Sequence, residues 1–138
     1  MILDWDGTLV PAEWPNRPTE FMPGAVEAVF RLHRAGLKLV VNSARLNPYD
    51  PWTSRSRPPA EVEADYQYIR HTLDSKGMTF VDIWRLPGKP SGSAYVDDKG
   101  YRYTGRPGSW AAVTEKLLVT LTDDTAIFPA FDQEAAEQ

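Results

Sequence analysis

Asp4 and Asp6 stand two residues apart in Ile2-Leu3-Asp4-Trp5-Asp6-Gly7-Thr8, directly after an apolar pair. Two carboxylates at that spacing suit a hard cation such as Mg²⁺, which takes oxygen ligands from one or two carboxylates plus substrate phosphate. They equally suit phosphoryl transfer, in which one carboxylate attacks phosphorus and carries an aspartyl-phosphate. The plain alternative is an Asp-Gly turn. Three further polar stations follow apolar runs or tight turns: Ser43 after Leu39-Val40-Val41-Asn42, Lys89 in Pro87-Gly88-Lys89-Pro90, and Asp97-Asp98 after Tyr95-Val96. Each has a job in the same chemistry. Asp6 can protonate a leaving oxygen and later activate water. Ser43 and Lys89 can hold phosphoryl oxygens as charge spreads over them. A carboxylate across the site can complete an Mg²⁺ octahedron, and the cation screens the repulsion between Asp4 and a phosphate dianion. Taken singly, Ser43 also reads as a cap, Lys89 as a solvated cation and Asp97-Asp98 as a hairpin turn; their order along one scaffold favours the chemical reading.

Composition sets the outer bounds. The 138 residues fit one domain with a real core, and 42% hydrophobic with 25% charged residues is ordinary for a globular chain. With no Cys and two His (His33 and His71), a metal would be held by carboxylates. The net charge of −4 opposes bulk attraction to nucleic acid or membrane. No signal peptide or long apolar run is seen, so a cytoplasmic protein is the default expectation.

The elements that must position these residues follow from periodicity and turn signals. Ile2-Leu3 reads as the end of a buried strand, a short one unless residues are missing upstream. Four prolines over residues 11–23 exclude a helix there. Trp14 and Phe21 in this loop read as packing residues; Arg17 could reach a phosphate or be solvated. Pro23-Gly24 opens a helix through Val26, Val29, Phe30 and Leu32, ended by Gly36. Leu37 to Val41 is a second strand, completing a βαβ unit whose parallel strands bring Asp4 and Ser43 to one carboxyl edge. Residues 46–59 form a long loop made basic by Arg55 and Arg57 beside Tyr49 and Trp52. The loop reads either as a grip on a phosphorylated or nucleotide substrate or as a solvated segment. A helix from Pro59 to Lys76 carries Val62, Tyr66, Ile69 and Leu73 on one stripe, with Glu61, Glu63 and Asp65 favouring its N-terminal end. Residues 79–84 and 93–96 are strand candidates, Tyr101 to Tyr103 an edge strand, and Ser109 caps a last helix. The final residues read as a frayed tail.

Together these motifs resemble the haloacid dehalogenase-like (HAD) phosphohydrolase superfamily, over residues 2 to about 105. The apolar run with DxDGT matches its first motif, Val41-Asn42-Ser43 its second, Lys89 its third and Val96-Asp97-Asp98 its fourth; Lys76 is the rival for the third. The resemblance implies an α/β, three-layer Rossmann-like fold, with a mainly parallel central sheet and helices on both faces. The core would span 1–121, followed by an extension over 122–138, with no cap domain. It implies catalytic Asp4 (nucleophile), Asp6 (acid/base), Ser43 and Lys89. Mg²⁺ would be held by Asp4, the Asp6 carbonyl and an acid of the Asp97-Asp98 pair, with Asp98 favoured as the direct ligand. Ser43-Ala44-Arg45 with Val-Asp-Asp-Lys is similar to the phosphatase half of bacteriophage polynucleotide kinases, which removes 3′-phosphates from nucleic acid. By that likeness Arg45, Arg17 and Thr8 contact the substrate. A small-molecule or nucleotide phosphatase or phosphotransferase, and a non-catalytic phosphate-binding module, are the alternative readings.

Overall fold

A computed structural model describes residues 1–50, 53–86, 88, 90, 92, 94–96 and 108–122. Within them the chain forms an α/β fold on a four-stranded parallel sheet. In chain order the elements are β1 (Ile2–Leu3), α1 (Ala25–Arg34), β2 (Val40–Val41), a 3₁₀ turn (Ala44–Leu46), α2 (Pro59–Asp74), β3 (Asp82–Ile83), β4 (Tyr95–Val96) and α3 (Ser109–Thr122). The expected edge strand at 101–103 and the C-terminal tail lie outside the described residues.

The sheet order is β3-β2-β1-β4. Leu3 pairs in parallel with Val41 on one side and Val96 on the other, and Val41 pairs with Ile83. β1 is therefore central. The chain leaves β1 for β2 on one flank, while β4 returns on the other. Such a reversal of strand order opens a crevice at the carboxyl ends of an α/β sheet, where ligands bind.

Side-chain alternation explains where the core lies. Leu3, Val41, Ile83 and Val96, with Met1, Leu39, Val81 and Ala94 two residues back along their strands, share one face, and all but the partly buried Ile83 are buried. Against that face α1 contributes Ala28, Val29 and Leu32, α2 Ile69 and Leu73, and α3 Trp110, Val113 and Leu117, in one contiguous core. The helices begin and end where the sequence signals place them. Gly24 (φ 80) precedes α1 and Gly36 (φ 89) follows it, both in the left-handed region that favours glycine.

The sequence reading expects helices on both faces, because parallel sheets are normally covered on both. Among the described residues all three helices feed the core on the Leu3 face. The alternate positions Ile2, Val40, Asp82 and Tyr95 face the other way; there Ile2 is buried and Asp82 exposed. Ile2 is closed over by Gly92, where an added Cβ would sit 2.8 Å from Ile2 Cγ1. Gly92→Ala is expected to destabilise the fold by about 1–3 kcal/mol through overpacking. In urea titrations the loss should shrink when Ile2 is first shortened to Ala, since the atoms that the Cβ would meet are then gone.

Candidate active site

The loop after β1 is built around Trp5. Its side chain is fully buried, packs edge-on against Phe21 and Tyr68, and donates from Nε1 to the Tyr68 hydroxyl at 3.2 Å. Its carbonyl accepts the backbone N–H groups of Thr8, Leu9 and Val10, closing the chain into a tight turn. Gly7 takes φ 77 in that turn, as the Asp-Gly pair leads one to expect. Trp5 points into the core, so the flanking carboxylates of Asp4 and Asp6 stay half-buried at the sheet edge. The expected turn is present, and it is what presents the two acids at the sheet edge.

Asp4 is tied to both neighbouring strands. Its N–H donates to the Val96 carbonyl at 3.1 Å, while Asn42 N–H donates to the Leu3 carbonyl at 2.9 Å. The ends of β2 and β4 therefore flank Asp4. Thr8, expected on the substrate, is buried, and its hydroxyl donates to Asp4 Oδ2 at 3.4 Å. The Thr8 carbonyl in turn accepts from Trp110 Nε1 at 3.0 Å, which ties this turn to α3. Ser43 is buried and caps the 3₁₀ turn, its Oγ accepting Arg45 N–H at 3.1 Å. That cap uses a lone pair and leaves the hydroxyl proton for an acceptor in the crevice. Lys89, Asp97 and Asp98 lie outside the described residues.

Arg45, expected to meet substrate phosphate, is instead enclosed. Its side chain is 0% exposed and its fork grips Asp6: Nε donates at 3.1 and 2.9 Å to the two carboxylate oxygens, and Nη2 at 2.9 Å to Oδ1. Nη2 also donates to the Asn16 carbonyl. On its far side Nη1 reaches Asp65 Oδ1 at 3.4 Å. The guanidinium lies near the rings of Trp14 and Tyr68, 5.0 and 5.2 Å from their centroids. Burial penalises the cation, but the hydrogen bond and charge of Asp6, aided by Tyr68 and Asp65, outweigh that and hold it above its ordinary range.

Asp65 is the residue that sequence reasoning placed differently. Its carboxylate is 2% exposed and takes three guanidinium groups: Arg17 at 3.0 Å, Arg45 at 3.4 Å and Arg57 at 2.6 Å. Arg57, read from sequence as a possible substrate grip, is 4% exposed and also donates to the carbonyls of Arg45 and Asn47. Arg17 remains open, at 42%. Among the described residues three guanidinium groups thus share the carboxylates of Asp6 and Asp65, with Arg17 the most exposed of the three. The sequence did hold a signal: Asp65 sits between Val62 and Ile69 on the apolar stripe of α2, where a carboxylate must find a partner or stay exposed.

The donors at this edge are all oxygens, which suits Mg²⁺ over softer metals. Among the described residues no group of three ligating side chains converges, and the Asp6 carboxylate is engaged by Arg45. The Asp4 carboxylate and the Asp6 carbonyl fit such an ion if the acids after Val96 complete the set.

Comparison with protein-family models, curated proteins and solved structures finds no significant match to this chain.

Two outcomes follow from the buried charges. Asp65→Ala strands the enclosed cations of Arg45 and Arg57, and should cost about 3–5 kcal/mol in chemical denaturation. Tyr68 is held above its ordinary range by burial, against the lowering effects of Trp5 and Arg45. Its hydroxyl also donates to the Pro18 carbonyl. A raised folded value means this contribution is complete below the unfolded value of 10.0 and is lost as pH rises through the folded one. Melting temperatures at about pH 9 and about pH 11 should therefore fall less for Tyr68→Phe than for the natural chain.

Proposed function

We propose that this chain hydrolyses a phosphate monoester through a covalent intermediate on Asp4, as a HAD-type phosphatase with a three-layer Rossmann-like core. The observation that carries the reading is the paired arrangement at the central strand. Asp4 is flanked by the ends of β2 and β4, and Asp6 is held two residues away by an enclosed guanidinium. A nucleophile needs an adjacent acid/base fixed in orientation, and this fork supplies the fixing.

In the proposed reaction an Asp4 carboxylate oxygen attacks phosphorus. The bond from phosphorus to the ester oxygen breaks, and a proton taken up by Asp6 from solvent passes to that oxygen to release an alcohol; the proton that Asp6 later takes from water returns to solvent. Water then attacks the acyl phosphate while Asp6 takes its proton. Inorganic phosphate leaves, and both carboxylates return to their starting forms. The Ser43 hydroxyl and Lys89 would hold the non-bridging oxygens. Asp4, the Asp6 carbonyl and Asp98 or Asp97 would hold Mg²⁺. When bound, the cation supplies charge screening between the Asp4 carboxylate and the phosphate.

Arg17 is the candidate for a contact outside the reacting phosphate. Its exposed guanidinium suits a substrate carrying further anionic groups, such as a nucleic-acid 3′ end. The overall charge of −4 keeps that attraction local. A panel of 3′-phosphorylated oligonucleotides, free nucleotides and sugar phosphates separates this substrate class from a small-molecule one.

With an aryl phosphate and Mg²⁺, the natural chain should turn over. Asp4→Asn should lower the rate on the order of 10³-fold or more, and EDTA should abolish it. Mg²⁺-dependent hydrolysis by Asp4→Asn at the natural rate would overturn the assignment. No hydrolysis by the natural chain across the whole panel would favour a non-catalytic phosphate-binding module.

A further inference from the structure

We infer that Asp65, on helix α2 and away from the reacting atoms, is a positioning residue for the acid/base Asp6, acting through Arg45. The inference rests on the phosphatase reading above and deepens it.

The path is short and rigid at each joint. Asp65 cannot swing, because Oδ1 is held by Arg17 at 3.0 Å and Oδ2 by Arg57 at 2.6 Å. Arg45 is fixed at its far end by Asp65 and laterally by the rings of Trp14 and Tyr68. Tyr68 stands one turn beyond Asp65 on the same helix, so α2 supplies two of the groups around this guanidinium. The near end of Arg45 then grips both oxygens of Asp6. The chain of ion pairs runs from a carboxylate 2% exposed to one 26% exposed at the sheet edge. Its outer end is the carboxylate whose orientation the chemistry needs. Planar forks fix direction as well as distance, which a point charge such as Lys cannot do. With Asp65 neutral, the charge that holds the far end of Arg45 is lost, and the fork is free to shift toward its remaining partners.

The test uses the leaving-group dependence of general acid catalysis. Protonation matters for an alkyl leaving group, whose alkoxide is strongly basic, and little for a nitrophenolate, which departs without it. The values of kcat/KM for an alkyl phosphate and for p-nitrophenyl phosphate are measured on the full chain with Mg²⁺, for the natural sequence, Asp65→Asn and Arg45→Lys, with Asp6→Asn as reference. The ratio of the two values does not depend on the fraction of molecules folded. That ratio is expected to fall about 10-fold or more in Asp65→Asn, in the same direction as Asp6→Asn, because acid catalysis contributes about 10²–10⁴-fold. Arg45→Lys keeps the charge but loses the fork, and should give the same selective loss. Equal losses on both substrates, or an unchanged ratio, in either variant would show a merely structural role and overturn the inference while leaving the phosphatase reading intact. A natural chain that hydrolyses neither substrate would overturn both.

Discussion

A guanidinium removed from water must be neutralised where it lies, and much of this structure answers that demand for Arg45. Desolvating a cation costs several kcal/mol unless charges and hydrogen bonds replace the lost water. Asp6 provides one carboxylate from the loop after β1, and Asp65 provides another from α2. The proline-rich loop adds the Asn16 carbonyl and the Trp14 ring, while Arg57 fastens the basic loop to the same carboxylate. Five segments distant in sequence are thereby held in one arrangement. The two long loops, which have little regular structure, take their position from it.

The sheet contributes a different constraint. Each strand is two residues long, so ladder hydrogen bonds alone define little. What fixes the register is the alternation that sends Leu3, Val41 and Val96 into one core and leaves Asp82 exposed. With β1 central and Trp5 buried beneath its end, Asp4 and Asp6 can only emerge at the carboxyl edge. The position of the acids is thus a consequence of packing, and their orientation a consequence of ion pairing. The proposed phosphoryl transfer would need both.

Much of this was legible in the sequence. The helices, the glycine stops and the ends of the strands follow from local periodicity, and Gly7 marks the turn that presents the acids. The face the helices cover was less legible, though the polar Asp82 and Tyr95 at alternate strand positions hint that one side differs. The ion network was scarcely legible, because its partners lie up to 48 residues apart and hydropathy does not say which arginine is enclosed. Arg45 and Arg57 look from the sequence like ligands for phosphate. Burial turns both inward and leaves Arg17 open. Asp65 looks like a charge favouring a helix start, yet its place on the apolar stripe makes it the counter-ion.

The proposed chemistry requires that Asp4 carries phosphate during turnover. The direct measurement is an acid quench of the full chain during turnover of a phosphate monoester with Mg²⁺, followed by peptide mass spectrometry. One acid-stable phosphoryl group is expected on the peptide containing Asp4, lost on treatment with hydroxylamine and missing when substrate is omitted. Turnover with no phosphoryl group on that peptide, or with the label on another residue, would contradict it.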